Sequence, residues 1–141
     1  MLKQAYGGVI FDETGNVLLR RPSNGFDNTA WTFAKGKHEG TCTAEDTALR
    51  EVKEETGYTC RILGRVPGSF PGGTSINEYF LMVPDGEPGK FDWETEAVIW
   101  VSPEEAVGYI NQTGKEVARV RDLAVLEAAV AAYRALNSAK A

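Results

Sequence analysis

The segment from Thr43 to Gly57 constrains the fold more than any other, because it marks both ends of a helix. Thr43 is a favourable N-cap residue, and Asp46 stands at the position of a capping-box acid. Gly57 is the residue type that most often follows the last helical turn. The sequence therefore predicts a helix over residues 44–56.

Three acidic residues gather on one side of this predicted helix. At about 100° per residue, Glu51, Glu54 and Glu55 fall within an arc of about a quarter turn. The adjacent face is apolar and is expected to pack on a sheet. Like charges at these spacings destabilise an isolated helix by about 0.2–0.5 kcal/mol per pair. Because Mg²⁺ prefers oxygen ligands and would relieve this repulsion, the cluster indicates either a metal site or a solvated acidic face.

The other patterns predict strands and two further helices. Ser102 and Pro103 are a cap and a first-turn proline, so a helix begins there. The strand–helix–strand units are too few for a doubly wound sheet. We expect an α+β fold, a single domain over residues 1–141 with a mixed sheet sandwiched between helices (α/β/α). The other predicted elements are a β-hairpin at 4–20, strands at 31–33, 60–66, 75–83 and 97–101, and a last helix at about 115–136.

The charge balance limits the partners. The formal net charge is −5, and an acidic surface repels phosphate polymers, so a nucleic acid polymer is not an expected partner. A small phosphorylated ligand remains compatible when divalent cations mediate the contact. No segment reaches the roughly 18 apolar residues of a membrane span. Neither a signal peptide nor a disulfide framework is indicated, so we expect a cytoplasmic protein. The residues do not distinguish a monomer from a homodimer.

A longer pattern surrounds the glutamates. The spacing of the Nudix signature is matched by Gly36, Arg50, Glu51, Glu54, Glu55 and Gly57. Its two apolar positions hold Val52 and Tyr58. The chain thus resembles the Nudix hydrolases, a family that includes MutT-like proteins. One position departs, because the first glutamate of the signature falls on Cys42; this bears on the rigidity of the loop and on metal affinity.

Two flanking segments extend the resemblance. Residues 31–37 resemble the lead-in of Nudix members that act on dinucleoside polyphosphates, diphosphoinositol phosphates or nucleotides, with Ala34 in place of a proline. Residues 100–106 are similar to the segment after the family's last core strand. The resemblance implies a metal-dependent hydrolase that cuts a diphosphate linkage by attack of water on phosphorus. Dinucleoside polyphosphates are slightly favoured over nucleoside triphosphates and ADP-ribose. The alternative, suggested by Cys42, is a Nudix-fold nucleotide-binding or sensor domain without turnover.

The resemblance also implies roles for individual residues. Arg50 would orient a glutamate. Glu51 is the first candidate for the base that takes the proton of the attacking water, and Glu96 is the next. One or more Mg²⁺ or Mn²⁺ ions would be held by Glu51, Glu54, Glu55 and the peptide carbonyl of Lys35.

Basic and aromatic residues near the signature are candidates for substrate contacts. Four basic residues are either phosphate contacts or ordinary surface residues: Lys35, Lys37, Arg20 and Arg21. Trp93 and Phe70 are candidates for stacking on a nucleobase, whereas Tyr79 is expected in the core.

Overall fold

The computed structural model describes residues 2–140. A 3₁₀ segment covers Ser23–Asn28. The strands are β1 (Lys3–Ile10), β2 (Val17–Pro22), β3 (Ala34–Lys37), β4 (Cys60–Arg65), β5 (Phe70–Pro71), β6 (Ser75–Pro84) and β7 (Thr95–Val101). The helices are α1 (Ala44–Thr56), α2 (Pro103–Ile110) and α3 (Glu116–Lys140). Within residues 2–140 no helix is both long and apolar enough to cross a membrane.

Five strands form one mixed sheet with a parallel pair, β1 and β6, at its centre. β3 pairs antiparallel with the free side of β1, and β4 and β5 pair antiparallel with β6. β2 and β7 form a separate antiparallel pair. This mixed sheet confirms the predicted α+β class.

Helices cover both faces of the mixed sheet. Because successive strand residues point to opposite faces, Ile10 packs in one cluster with Val52 of α1, whereas Val9 packs in another with Val125 of α3. The apolar side chains of β2 also alternate between these two clusters. The mixed sheet therefore has α1 on one side and α3 on the other, and the β2–β7 pair contributes to both clusters.

The hairpin predicted over residues 4–20 is wrong in its pairing. Phe11 and Val17 form one antiparallel bridge across a turn. The carboxylate of Asp12 closes this turn by accepting two backbone N–H groups, both at 2.9 Å. Beyond the bridge, β2 leaves β1 and pairs with β7. Local turn chemistry specifies the reversal of the chain, but it does not specify which strand the next segment will join.

The strand predicted at residues 31–33 lies later in the chain, because β3 begins at Ala34. Thr32 instead forms an isolated bridge with Arg20, in which each backbone N–H donates to the other residue's carbonyl at 2.9 Å. The shift places Lys35 and Lys37 in a strand. The bridge connects the segment before β3 to β2 and restrains the backbone of Arg20.

α1 has the bounds that its end signals predict. The hydroxyl oxygen of Thr43 accepts the N–H of Asp46 at 3.0 Å. At the other end Gly57 has a φ of +81° and donates its N–H to the carbonyl of Lys53. Both ends are thus satisfied by their own caps, and the direction of the last turn, which carries two of the three glutamates, is fixed.

Replacing Gly57 with alanine should destabilise the protein more than replacing Gly15, although their φ angles are nearly equal at +81° and +85°. Either alanine in left-handed backbone costs about 1 kcal/mol. At Gly57 the added Cβ would also overlap the carbonyl of Gly89, whereas no atom lies within 4 Å at Gly15. We expect urea unfolding to show a loss larger by about 1 kcal/mol or more for Gly57→Ala. Equal losses would contradict this close contact.

Candidate active site

α1 docks on β3 too closely to leave room for a side chain at Gly36. A Cβ added to Gly36 would overlap the carboxyl group of Glu51. One turn further along the helix, the carboxylate of Glu55 accepts the backbone N–H of Lys35 at 3.2 Å. The glutamate side of α1 is therefore seated on the backbone of residues 35–36. This contact is a physical reason for glycine at the first position of the signature.

Glu55 is the most enclosed of the three glutamates, with 9% of its side chain exposed. The Nε of Arg20 lies 3.6 Å from its Oε1. Burial raises the pKa of Glu55 from 4.5 to about 8, and the negative charge of Glu51 adds to the rise. Arg20 and the N–H of Lys35 oppose it. Glu55 is thus a buried carboxyl group with an incomplete counter-charge.

Arg50 holds the other two glutamates. Its Nη2 donates to Glu51 Oε2 at 3.1 Å, and its Nε lies 3.8 Å from Glu54 Oε1. Burial and the charge of Glu51 raise the pKa of Glu54, against the opposing effect of Arg50. The bond to Glu51 is the main cause of the raised pKa of Arg50. One guanidinium therefore restrains two carboxylates on the same side of the helix.

A cleft of about 450 Å³ opens beside Glu55. It is walled by β2, β3, α3, the 3₁₀ segment and the loop before β7. Two aromatic rings, Phe26 and Trp93, line it although 75% and 83% of these residues are exposed. Its polar lining includes Arg20, Ser23, Thr32, Lys35, Glu55, Glu94 and Arg121. The cleft therefore combines cationic groups, acids and exposed aromatic surface.

Lys35 contributes a largely buried ammonium group to this cleft. Burial is the first cause of its lowered pKa, and the positive charge of Arg121 is the second. Among residues 2–140 it has no acidic partner within ion-pair distance, although the charges of Asp122 and Glu55 act on it. Its side chain is thus available to an anionic ligand.

A buried acid that was not among the predicted site residues contacts two residues of the cleft lining. Asp122 of α3 is fully buried and accepts two hydrogen bonds from Arg121, at 3.0 and 3.2 Å. It also accepts the hydroxyl of Thr32 at 2.6 Å. One signal was available, because Asp122 precedes the buried Val125 and Leu126 by three and four residues. An acid on the apolar stripe of a helix is buried only with partners.

Of the three aromatic residues considered for stacking on a nucleobase, two are buried and one is exposed. Tyr79 lies in the core as predicted, and its hydroxyl has no hydrogen-bond partner among the described residues. Phe70 packs edge-on against Tyr79 and is also buried. Trp93 remains as the exposed ring at the cleft, joined there by Phe26, which the sequence did not single out.

Six of the nine predicted site residues are not part of the cleft lining: Arg50, Glu51 and Glu54 of α1, and three residues outside that helix. Arg21 and Glu96 pair with each other at 3.6 Å, each with 53% of its side chain exposed. Because neighbouring strand residues point to opposite faces, Arg21 faces away from the side that Arg20 occupies. Lys37 is exposed at the end of β3. Of the predicted phosphate contacts, the structure thus brings only Lys35 and Arg20 to the cleft.

The chemistry of the glutamate face suits a divalent cation. Its carboxylates supply the hard oxygen donors that Mg²⁺ and Mn²⁺ prefer, and Gly36 allows a peptide group to approach them. In the described arrangement the carboxylates pair with Arg20 and Arg50. Within residues 2–140, no three acidic, histidine or cysteine side chains meet around one point. The residues fit a cation in donor type, and arginines supply the counter-charge.

Comparison with known proteins identifies the family. A model of the NUDIX domain matches residues 1–122. The CTP pyrophosphohydrolase of Escherichia coli strain K12 is 32% identical over 104 residues, which are 71% of this chain and 76% of that protein. The 8-oxo-dGTP diphosphatase of Proteus vulgaris is 35% identical over 79 residues, 53% and 70% of the two chains. An Ap4A hydrolase structure from C. elegans, 20% identical, aligns with a TM-score of 0.73 over 96% of this chain and 98% of that one.

The chain belongs to the Nudix family, as the signature at residues 36–58 predicts. It is a Nudix diphosphohydrolase, and the prediction of an enzyme is confirmed. The structural similarity confirms the fold, with helices on both faces of a mixed sheet.

With a chelator present, Glu55→Gln should stabilise the fold at pH 9 and change it little near pH 4.5. The folded protein holds Glu55 at a pKa of about 8, whereas an exposed glutamate in the unfolded chain has a pKa of 4.5. The stability that comes from the neutral acid is therefore complete below pH 4.5 and is lost as the pH rises through 8. Glutamine is neutral at both pH values, so urea unfolding should show a gain of about 1 kcal/mol or more at pH 9.

Glu45→Gln is the matched control, because Glu45 is an exposed acid on the same helix. Its free energy of unfolding is expected to show no such gain. Equal destabilisation by Glu55→Gln at both pH values would mean that burial does not raise the pKa of Glu55 in the folded protein.

Proposed function

We propose that the chain hydrolyses the diphosphate linkage of a nucleoside triphosphate, with Mg²⁺ or Mn²⁺ as cofactor. The observation that carries the proposal is the position of the glutamate face of α1 beside a cleft with cationic and aromatic lining. Nucleoside triphosphates come before dinucleoside polyphosphates and ADP-ribose because two relatives are named for CTP and 8-oxo-dGTP. The lead-in at residues 31–37 keeps dinucleoside polyphosphates as the second candidate.

Glu51, Glu54 and Glu55 are the proposed metal ligands, with the peptide carbonyl of Lys35 as a further donor. A divalent cation bound there would supply an acidified water and offset phosphoryl charge. The support comes from three carboxylates on one side of α1, two of them with raised pKa values. Arg50 would keep Glu51 and Glu54 on that side, since it contacts both.

Lys35 is the proposed phosphate contact. It lines the cleft and has no acidic side chain within ion-pair distance in the described part of the chain. In the reaction a water oxygen forms a bond to phosphorus while the bridging P–O bond breaks, and the leaving phosphate takes the bonding electrons. An ammonium beside the phosphates would bind this charge throughout.

Glu94 is proposed, together with Glu51, as a candidate for the proton acceptor. The sequence points to the acids before the last strand and ranks Glu96 next after Glu51. Glu94 lines the cleft, whereas Glu96 pairs with Arg21 outside it. The proton acceptor must lie within hydrogen-bonding distance of the attacking water. This requirement favours Glu94, which lines the cleft, over Glu96.

Phe26 and Trp93 are proposed to contact the nucleobase. Both line the cleft near its mouth, and both are far more exposed than large aromatic side chains usually are. Exposed apolar surface beside polar groups is typical of ligand grooves. Planar bases stack on such rings with little dependence on base identity.

The proposal is tested by incubating the protein with Mg²⁺ or Mn²⁺ and nucleoside triphosphates, dinucleoside polyphosphates and ADP-ribose, and separating the products by chromatography. From each nucleoside triphosphate we expect a nucleoside monophosphate and inorganic diphosphate, and no product with a chelator. Glu54→Gln should lower kcat about 100-fold or more, and Glu45→Gln should leave it unchanged. If every compound is bound and none is hydrolysed, the sensor alternative takes its place, and restoration of turnover by Cys42→Glu becomes the next measurement.

The roles of the two acids before β7 can be separated directly. Glu94→Gln is expected to lower kcat by about tenfold or more, whereas Glu96→Gln should have a much smaller effect. Both are exposed acids two residues apart in the chain, so each serves as the control for the other. A larger loss with Glu96→Gln would remove Glu94 from the proposed mechanism.

A further inference from the structure

Arg20 connects three parts of the cleft wall through one guanidinium group. Its Nε donates to the hydroxyl of Thr95 at 2.8 Å, and its Nη2 donates to the carbonyl of Glu94 at 2.9 Å. The same Nε lies 3.6 Å from Glu55 Oε1. The side chain is 11% exposed. Arg20 therefore bridges β2, the beginning of β7 and the last turn of α1.

The backbone of Arg20 gives this side chain a rigid base. Its N–H and C=O both bond to Thr32 at 2.9 Å, and the hydroxyl of Thr32 donates to the buried carboxylate of Asp122. On its other side β2 pairs with β7, with Arg20 opposite Val98. The guanidinium thus extends from a strand that is held on both edges.

The segment that Arg20 contacts, residues 92–95, is a turn that leads into β7, in which the N–H of Thr95 donates to the carbonyl of Asp92 at 3.3 Å. Ser23 donates to the carbonyls of Trp93 and Glu94, at 2.7 and 2.9 Å. The N–H of Asp92 donates to the carbonyl of Glu54 at 2.7 Å. Of the donors named here, only Arg20 is a charged side chain. A shift of this turn would move Glu94 relative to the glutamates of α1.

The donors of Arg20 contrast with those of Lys35. Two of the Arg20 nitrogens already donate to protein oxygens, and its charge faces Glu55. A phosphate could bind the Nε–H and the bonded Nη2–H of Arg20 only by replacing these contacts. Lys35 lines the same cleft without an ion pair among the described residues. The geometry thus divides the two cations into one that binds the protein and one that faces the ligand.

We propose that Arg20 is a positioning residue, which holds the Glu94 turn and Glu55 at a fixed separation, and that it is not a phosphate contact. This replaces the role that its charge and its place in the sequence suggest. The kinetic consequence rests on the proposed function, because it assumes that Glu55 and Glu94 act on the same substrate. The structural consequence holds in the protein without metal or substrate.

The kinetic test compares Arg20→Lys, Thr95→Val and the double variant. Lysine keeps the charge and cannot make both hydrogen bonds, and valine removes only the acceptor. Each single variant should lower kcat about tenfold while KM stays within about twofold, because the loss is in geometry and not in binding. The double variant should lose less than the product of the two single effects. A raised KM with unchanged kcat for Arg20→Lys, and no effect of Thr95→Val, would overturn the proposal.

The second test measures the rate of amide hydrogen exchange at residues 93–96 in the protein with a chelator present. Arg20→Lys and Thr95→Val should both speed exchange in this segment. Arg65→Lys is the control, since Arg65 forms an exposed pair with Glu78 at 3.0 Å on the distant strand β4. Unchanged exchange rates in both Arg20→Lys and Thr95→Val would overturn the proposed positioning role of Arg20. If the wild-type chain hydrolyses no nucleotide, the proposed function fails, and the exchange measurement still decides the role of Arg20.

Discussion

The docking of α1 on β3 is the contact on which the rest of the site depends. It presses the carboxyl group of Glu51 against Gly36 and places Glu55 under the N–H of Lys35. Burial of the Glu55 carboxyl group is unfavourable for its charged form, and the negative charge of Glu51 adds to the cost. Two arginines from different elements reduce the cost: Arg50 within the helix and Arg20 from β2. The proposed cation would complete this neutralisation.

The small β2–β7 pair converts the glutamate face into one wall of a cleft. It brings Arg20 to Glu55, and the 3₁₀ segment with Phe26 and the turn with Trp93 and Glu94 both lie at one end of it, where Pro22 is opposite Thr95. Strand alternation decides which side chains take part, because it turns Arg20 inward and Arg21 outward. The proposed chemistry thus lies on α1, and the proposed base recognition lies on the segments that flank the β2–β7 pair. Two shared apolar clusters and the hydrogen bonds of Arg20 connect these parts.

Local signals in the sequence predict the local structure well. The caps at Thr43 and Gly57 give the bounds of α1, and helical periodicity puts its glutamates on one side. The partner of β2 was not predictable, because the turn at residues 12–16 fits a hairpin with β1 as well as the departure to β7. That pairing decides which of Arg20, Arg21, Glu94 and Glu96 reach the cleft. The buried Asp122 was predictable from its place on an apolar stripe, but its partner Thr32 lies 90 residues away in the chain.

If the glutamates of α1 form one divalent-cation site, the protein should bind Mn²⁺ without substrate. The loss of the free-ion EPR signal on adding protein measures the affinity for the wild type and for the Glu51→Gln/Glu55→Gln double variant. We expect saturable binding by the wild type and a loss of about 100-fold or more in affinity for the double variant. Equal affinity in the two proteins, or no binding by the wild type up to millimolar Mn²⁺, would contradict it.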